Sequence, residues 1–110
     1  MLIHERSIND STVITVSGWF DRQAKEEFQS ILEHLDGNNS SRLIINLEQV
    51  SYMDSAGVGY LCMLYHSLQK KGIQFCLLNP QPDVRQILRI AGIGNLTPIY
   101  NSEQEALTAI

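Results

Sequence analysis

The pattern of apolar and polar residues along this chain predicts five strands. Nearly unbroken apolar runs at 42–47 and 74–78 are typical of strands buried on both faces of a sheet, and β-branched residues dominate 12–18. A weaker strand pattern at 2–8 is separated from 12–18 by turn-forming polar residues, so these two segments are predicted to form a hairpin. Residues 97–100 fit a short last strand at a sheet edge, because the proline at 98 has no N–H to donate.

Between the strands, apolar residues recur with the spacing of helices that bury one face. The first predicted helix has Asp21 as its N-cap and Gly37 just past its end, and a polar connection at 38–41 follows. Its inner face carries Ala24, Phe28, Ile31, Leu32 and Leu35. The second helix covers 58–68 and closes with two lysines and a glycine at 70–72.

Two more helices follow the strand at 74–78. The third is predicted to begin with Pro82 in its first turn. Its inner face carries Val84, Ile87, Leu88 and Ala91. Ser102 and Glu105 form a capping box that starts a short fourth helix. That helix carries Ala106, Leu107 and Ile110.

The order of these elements predicts an α/β fold. A hairpin comes first, and the later strands alternate with helices, so we expect parallel strands joined by crossover helices. The prediction is a mixed sheet of four or five strands with about four helices, in a single domain that spans 1–110.

Composition and charge exclude several classes of function. A formal net charge of −4 without a basic cluster argues against a nucleic-acid partner and favours a basic protein partner. Neither the histidines nor the two cysteines have the spacing of metal ligands, so we expect no metal and no cofactor. Because no signal peptide and no membrane-length apolar run is present, we expect a soluble protein in a reducing cytoplasm, without a membrane partner.

The segment 51–59, between the strand at 42–47 and the second helix, is the candidate functional site. Asp54 has the position of an N-cap, Ser55 falls in the first turn of the helix, and Gly57 and Gly59 leave the backbone open to close approach. The serine is not in a G-x-S-x-G elbow, and none of the three histidines is well placed to form a triad with it. We therefore do not predict an enzyme.

The second helix has no Lys, Arg, Asp or Glu between Asp54 and Lys70. One predicted face packs on the sheet through Val58, Leu61, Cys62, Tyr65 and Leu68. The opposite face carries Ala56, Gly59, Tyr60, Met63 and Ser67. We interpret this uncharged outer face as an exposed surface that docks a protein, with Tyr60 and Met63 as anchors. The alternative is a helix that is buried on both sides.

Ser55 would stand at the rim of that surface. A phosphoryl group there adds about −1.5 to −2 charges, which the helix N-terminus tolerates but which an overlying partner without a cation would not. Phosphorylation could then abolish binding and leave the fold intact. The alternative is that Asp54 and Ser55 only cap the helix.

Several motifs together resemble one known family. The signature Ser51-Tyr-Met-Asp-Ser-Ala-Gly-Val-Gly-Tyr60 closely resembles that of the STAS domain, named for sulphate transporters and anti-sigma factor antagonists, and in particular the stand-alone bacterial antagonists. Gly18-Trp-Phe-Asp21 is similar to the family's Gly-x-Leu-Asp, residues 43–47 to its central strand, and residues 84–92 to its third helix and glycine stop. The resemblance covers nearly the whole chain.

The resemblance implies a partner-switching function. In that family, the serine that matches Ser55 is phosphorylated by a partner kinase, commonly the anti-sigma factor itself, and is dephosphorylated by a serine phosphatase. The unphosphorylated protein sequesters the anti-sigma factor and so frees a sigma factor. We expect the partner to contact Asp21, Asp54, Ala56, Gly57, Gly59, Tyr60 and Met63.

Two departures and two alternatives accompany this resemblance. Ala56 replaces a Ser or Thr that is common in the family, which leaves Ser55 as the acceptor hydroxyl, and Trp19-Phe20 replaces the more usual Glu-Leu, which alters the docking surface. One alternative function is an accessory STAS subunit, for example of a transporter ATPase, that binds protein without being phosphorylated. Another is nucleotide binding at the helix N-terminus.

Overall fold

The computed structural model describes residues 1–36 and 40–109. Within them, five strands form one mixed sheet with the strand order β1-β2-β3-β4-β5, and four α-helices accompany it. The strands are β1 (Leu2–Ile8), β2 (Ser11–Phe20), β3 (Arg42–Met53), β4 (Gln74–Leu78) and β5 (Ile99–Tyr100). The helices are α1 (Lys25–Asp36), α2 (Ser55–Lys70), α3 (Pro82–Ile90) and α4 (Glu103–Thr108), with 3₁₀ turns at Arg22–Ala24 and Ile93–Asn95. The predicted α/β fold with a mixed sheet is confirmed.

The strand pairing also follows the sequence prediction. β1 pairs antiparallel with β2, and the turn between them has Asn9 in a left-handed conformation that asparagine tolerates. β2, β3, β4 and β5 are mutually parallel neighbours. β5 pairs with only Leu77 and Leu78 of β4, so it is a short edge strand as predicted.

β3 is longer than the apolar run at 42–47. It continues to Met53 through exposed polar residues, and its pairing with β2 shifts register between Thr15 and Ser17 and again between Gly18 and Trp19. These irregularities change which residues face the core. The apolar residues in the second half of β3 therefore do not recur at every second position. The extension pairs the last residues of β2 with the last residues of β3.

Helices cover the two faces of the sheet unequally. Neighbouring residues of β3 point to opposite faces, and Leu43 and Ile45 join a large apolar cluster with α1, α2 and α3, whereas Ile44 joins a small one with Ala106 of α4. Phe28 and Ile31 of α1 and Ala24 of the preceding 3₁₀ turn are buried as predicted, whereas the predicted burial of Leu32 and Leu35 lies outside what the structure describes. In α3, Val84 and Leu88 are buried, Ile87 is half-buried, and Ala91 is exposed because the helix ends at Ile90.

Arg42, the first residue of β3, holds α4 in place. Its guanidinium donates to the carbonyl oxygens of Ala106 at 3.0 Å and Leu107 at 2.7 Å, and also to that of Ala109. These are carbonyls at the end of a helix that its own backbone leaves unsatisfied. The predictions that concern Gly37, residues 38 and 39 of the polar connection, and Ile110 lie outside the described residues.

Candidate functional site

The site is the point where β3 ends and α2 begins. Asp54 has an extended backbone (φ −117°, ψ −171°), and its Oδ1 accepts a hydrogen bond from the Gly57 N–H at 3.1 Å. It is therefore the N-cap of α2, as predicted, and Ser55 is the first helical residue. Ser55 is exposed, and its hydroxyl forms no hydrogen bond with any other residue in the described ranges 1–36 and 40–109. An exposed hydroxyl thus stands at the positive end of a helix dipole.

Gly57, in the first turn of α2, is buried against the end of β2. A Cβ at this position would overlap the carbonyl oxygen of Phe20 and would lie 2.9 Å from Cγ of Met53. The glycine therefore allows α2 to approach β2 closely at its N-terminus. Gly59 is different, since it is exposed and a Cβ there would have nothing within 4 Å.

The buried face of α2 differs in part from the predicted one. Leu61 and Leu68 are buried as expected, whereas Val58, Cys62 and Tyr65 are only partly buried. The other fully buried positions are Gly57 and Leu64. Leu64 is absent from the predicted face. The buried stripe of α2 consists of Gly57, Leu61, Leu64 and Leu68, and it begins at a glycine, which gives no apolar signal in the sequence.

The outward face of α2 is exposed along one stripe. Gly59 is exposed, and Met63 retains 56% of its accessible surface, whereas Ala56 and Tyr60 are partly buried. Ser55, Gly59 and Met63 follow one another at intervals of four residues, so the hydroxyl and the exposed thioether lie on the same side of the helix. We call Ser55, Gly59, Met63 and the exposed His66 the α2 stripe.

Tyr60 of α2 points towards α1 and contacts it. Its ring stacks on Phe28 with a centroid distance of 5.1 Å and an interplanar angle of 20°. Its hydroxyl donates to the carbonyl oxygen of Arg22 at 3.1 Å. Much of the ring is thus committed to contacts within the chain, which agrees with the partial burial of Tyr60.

Asp21 has the same role after β2 that Asp54 has after β3. Its backbone is extended (φ −130°, ψ −167°), and its Oδ1 accepts from the Gln23 N–H at 3.0 Å, which caps the 3₁₀ turn that leads into α1. Since β2 and β3 are parallel neighbours, both capping aspartates lie at the carboxyl edge of the sheet.

An exposed aromatic pair occupies the same edge. Trp19 and Tyr52 are register partners in β2 and β3, and their ring centroids are 5.5 Å apart with the planes tilted by 59°. Trp19 is 62% exposed and Tyr52 is 42% exposed. The sequence singled out Trp19 as a departure, but Tyr52 was missed because its partner lies 33 positions away and only the strand register joins them.

The described residues show neither a metal-binding cluster nor a membrane-spanning helix. Among residues 1–36 and 40–109, no three His, Cys, Asp or Glu side chains come together in a way that could hold a metal ion. None of the helices in those residues combines the length and the apolar character needed to cross a membrane.

The comparison with known proteins agrees with the motif at Ser55. The sequence profile of the STAS domain matches residues 3–106. The chain belongs to the STAS domain family. A STAS relative from Lysinibacillus sphaericus named "Anti-sigma F factor antagonist" is 31% identical over 91 residues, which cover 82% of this chain and 78% of that protein. The family resemblance of the sequence motifs is thus confirmed.

Solved structures of one antagonist share the fold of this STAS chain. The unphosphorylated form of the anti-sigma factor antagonist SpoIIAA superposes with a TM-score of 0.82 at 27% identity, covering 96% of this chain and 93% of that one. The phosphorylated form of the Bacillus cell fate determinant SpoIIAA superposes with a TM-score of 0.72 at 27% identity, covering 96% of both chains.

Proposed function

We propose that this STAS protein is an anti-sigma factor antagonist. In its unphosphorylated form it binds an anti-sigma factor that is also a serine kinase, and phosphorylation of Ser55 releases that partner until a serine phosphatase restores the hydroxyl. The observation that carries the proposal is the exposed Ser55 hydroxyl in the first turn of a helix that has no Lys, Arg, Asp or Glu before Lys70 and whose stripe is open to a partner.

The names of the relatives support the class of partner. The Lysinibacillus relative is named as an antagonist of anti-sigma F factor, and SpoIIAA is named as an anti-sigma factor antagonist with a phosphorylated form. Both sequences align with most of this chain.

The environment of Ser55 favours a reversible phosphate. The first-turn N–H groups and the dipole of α2 stabilise negative charge, so a phosphoserine at this position is compatible with the fold. The Asp54 carboxylate already accepts a hydrogen bond from the Gly57 N–H, and its negative charge repels a phosphate on Ser55. The added charge is therefore directed outwards. The modification therefore changes the surface more than it changes the helix.

The α2 stripe explains how one phosphate can control binding. Gly59 presents bare backbone and Met63 a flexible apolar side chain, both suited to close packing against another protein. A partner that covers this stripe also covers Ser55. Burying a phosphate dianion beneath it, without a cation opposite, costs several kcal/mol in order of magnitude.

Calorimetry and a kinase assay test the proposal with an anti-sigma factor kinase purified from the same organism. We expect Ser55→Ala to bind like the wild type and Ser55→Asp to bind at least about 10-fold more weakly. Ser30→Asp is the matched control, since Ser30 is an exposed serine on α1, away from the stripe. Mass spectrometry should place the transferred phosphate on Ser55 and find none in Ser55→Ala.

Two results would count against the proposal. One is Ser55→Asp binding as tightly as the wild type while circular dichroism shows an intact fold. The other is phosphate on a different residue. Protein binding without any phosphate transfer would instead favour the accessory-subunit alternative.

A further inference from the structure

The ends of β2 and β3 carry the same three-residue pattern. Trp19-Phe20-Asp21 and Tyr52-Met53-Asp54 each consist of an exposed aromatic residue, a buried apolar residue and an aspartate that caps the following helix or turn. The two patterns are in register, because Trp19 pairs with Tyr52 and Phe20 pairs with Met53. Continuing this register by one residue brings Asp21 beside Asp54.

Strand geometry puts each aspartate on the same side as its aromatic residue. Successive side chains of an extended strand alternate between faces, and Asp21 and Asp54 both keep extended backbones. Phe20 and Met53 point into the core, so the residues on either side of each point out of it. Two aromatic rings and two carboxylates are therefore displayed together at the carboxyl edge of the sheet.

These two rings and two carboxylates are suited to bind a cation that also has a flat face. Each capping aspartate uses Oδ1 for a backbone N–H, and in the part of the chain that the structure describes no hydrogen bond reaches either Oδ2. Trp and Tyr rings attract cations over their faces, and arginine additionally stacks on the rings while its N–H groups reach neighbouring carboxylates. A lysine side chain would neutralise the carboxylates, but it has no planar group to stack on the aromatic rings.

We propose that Trp19, Tyr52, Asp21 and Asp54 form an aromatic platform that selects the binding partner by receiving an arginine side chain from it. The identity of that partner as an anti-sigma factor rests on the proposed function above. The aromatic residues provide the type of side chain that dominates binding energy at interfaces, and the carboxylates set the charge of what is received. The platform thus determines which protein binds, whereas Ser55 determines when it binds.

The first experiment measures the affinity of the anti-sigma factor that binds the wild type. Trp19→Ala and Tyr52→Ala should each weaken binding by about 30-fold or more, and Trp19→Phe should recover most of the loss. Asp21→Asn and Asp54→Asn keep a capping oxygen and remove a charge, so they should weaken binding less and reduce its salt dependence. Ile90→Ala is the control, because Ile90 is 79% exposed at the far end of α3.

The second experiment needs no protein partner. Trp19 is the only tryptophan of the chain, so its indole N–H gives a single NMR signal. A blocked tri-arginine peptide should shift that signal saturably, and the matched tri-citrulline peptide should not. The double variant Asp21→Asn, Asp54→Asn should lose the response while its circular dichroism spectrum stays that of the wild type.

The two experiments separate the two proposals. If no anti-sigma factor binds the wild type but tri-arginine shifts the Trp19 signal, the proposed function fails and the platform stands. If an anti-sigma factor binds and Trp19→Ala and Tyr52→Ala bind it within about threefold of the wild type, the platform is wrong and the proposed function stands. A tri-arginine response no larger than that to tri-citrulline also contradicts the platform.

Discussion

Gly57 of α2 packs directly on the carbonyl oxygen of Phe20, the last residue of β2, with no room for a side chain between them. This contact joins the helix that carries Ser55 to the strand that carries Trp19. It also fixes the position of the α2 N-terminus by backbone packing, independently of the polar side chains around it.

Replacing Gly57 with alanine should destabilise the protein. The added methyl would overlap the Phe20 carbonyl and press on Met53, so we expect a loss of about 1–3 kcal/mol in the free energy of unfolding. Gly59→Ala, in open space on the same helix, should instead gain roughly 0.5–1 kcal/mol. Urea denaturation of both variants measures the difference, and equal stabilities would contradict the close contact.

Removing the N-cap of α2 should cost less than overpacking its glycine. Asp54→Ala loses the hydrogen bond to the Gly57 N–H, and we expect a loss of about 1 kcal/mol in the free energy of unfolding. Asp54→Asn retains an acceptor oxygen and should lie between alanine and the wild type. An alanine variant as stable as the wild type in thermal or urea unfolding would show that the cap contributes nothing.

Arg42 should control the stability of α4 locally. Arg42→Met keeps the aliphatic stem but leaves the carbonyl oxygens of Ala106 and Leu107 without their donor, which costs about 1–3 kcal/mol. Amide hydrogen exchange should accelerate in α4, while the exchange rates in the sheet stay those of the wild type. Arg89→Met, at the exposed end of α3, is the control, and equal exchange in the two variants would refute the role of Arg42.

Alkaline pH should weaken the fold through Cys76. Burial raises the pKa of the Cys76 thiol to about 11 from 9.0, although the positive charge of Arg42 acts in the opposite direction. Between about pH 9 and pH 11 the unfolded chain releases this proton and the native chain keeps it, so this contribution to stability, complete below pH 9, is lost.

The measurement compares urea midpoints across pH 8 to 11. The wild type should lose more stability over this range than Cys76→Ala, because only the wild type carries the buried thiol. Cys62→Ala, which removes the partly buried cysteine of α2, should follow the wild type. Parallel pH profiles for the wild type and Cys76→Ala would exclude the effect.

Most of the fold could be predicted from local patterns. The apolar runs, the turn at Asn9 and the capping residues Asp21, Asp54 and Ser102 each act over a few positions, and the structure has strands, turn and caps at these places. The candidate site at Ser55 likewise rests on a short contiguous family motif, and its role stays a prediction.

The second half of β3 and the buried face of α2 could not be predicted in the same way. β3 continues through Glu48 and Gln49 because β2 pairs with it there, and that pairing includes a register shift that no single strand reveals. The inward stripe of α2 begins at Gly57, whose burial depends on the approach of Phe20 from another strand. Leu64 lies on the same side of α2 as Gly57, and consequently neither predicted face of the helix includes it.

The aromatic pair shows the same limit at the candidate site. Trp19 and Tyr52 belong to separate segments, and only the parallel register of β2 and β3 makes them neighbours. Sequence motifs name residues one at a time, whereas a binding surface arises where two chain segments meet.

The packing of Gly57 on Phe20 has a consequence for kinetics. Since the α2 N-terminus is fixed by backbone contact, a phosphate on Ser55 would alter the electrostatic field of the surface without waiting for a slow rearrangement of the chain. If Ser55 is phosphorylated as proposed, the response time would be set by the enzymes that add and remove the phosphate and by the dissociation rate of the partner, and not by a rearrangement of this chain.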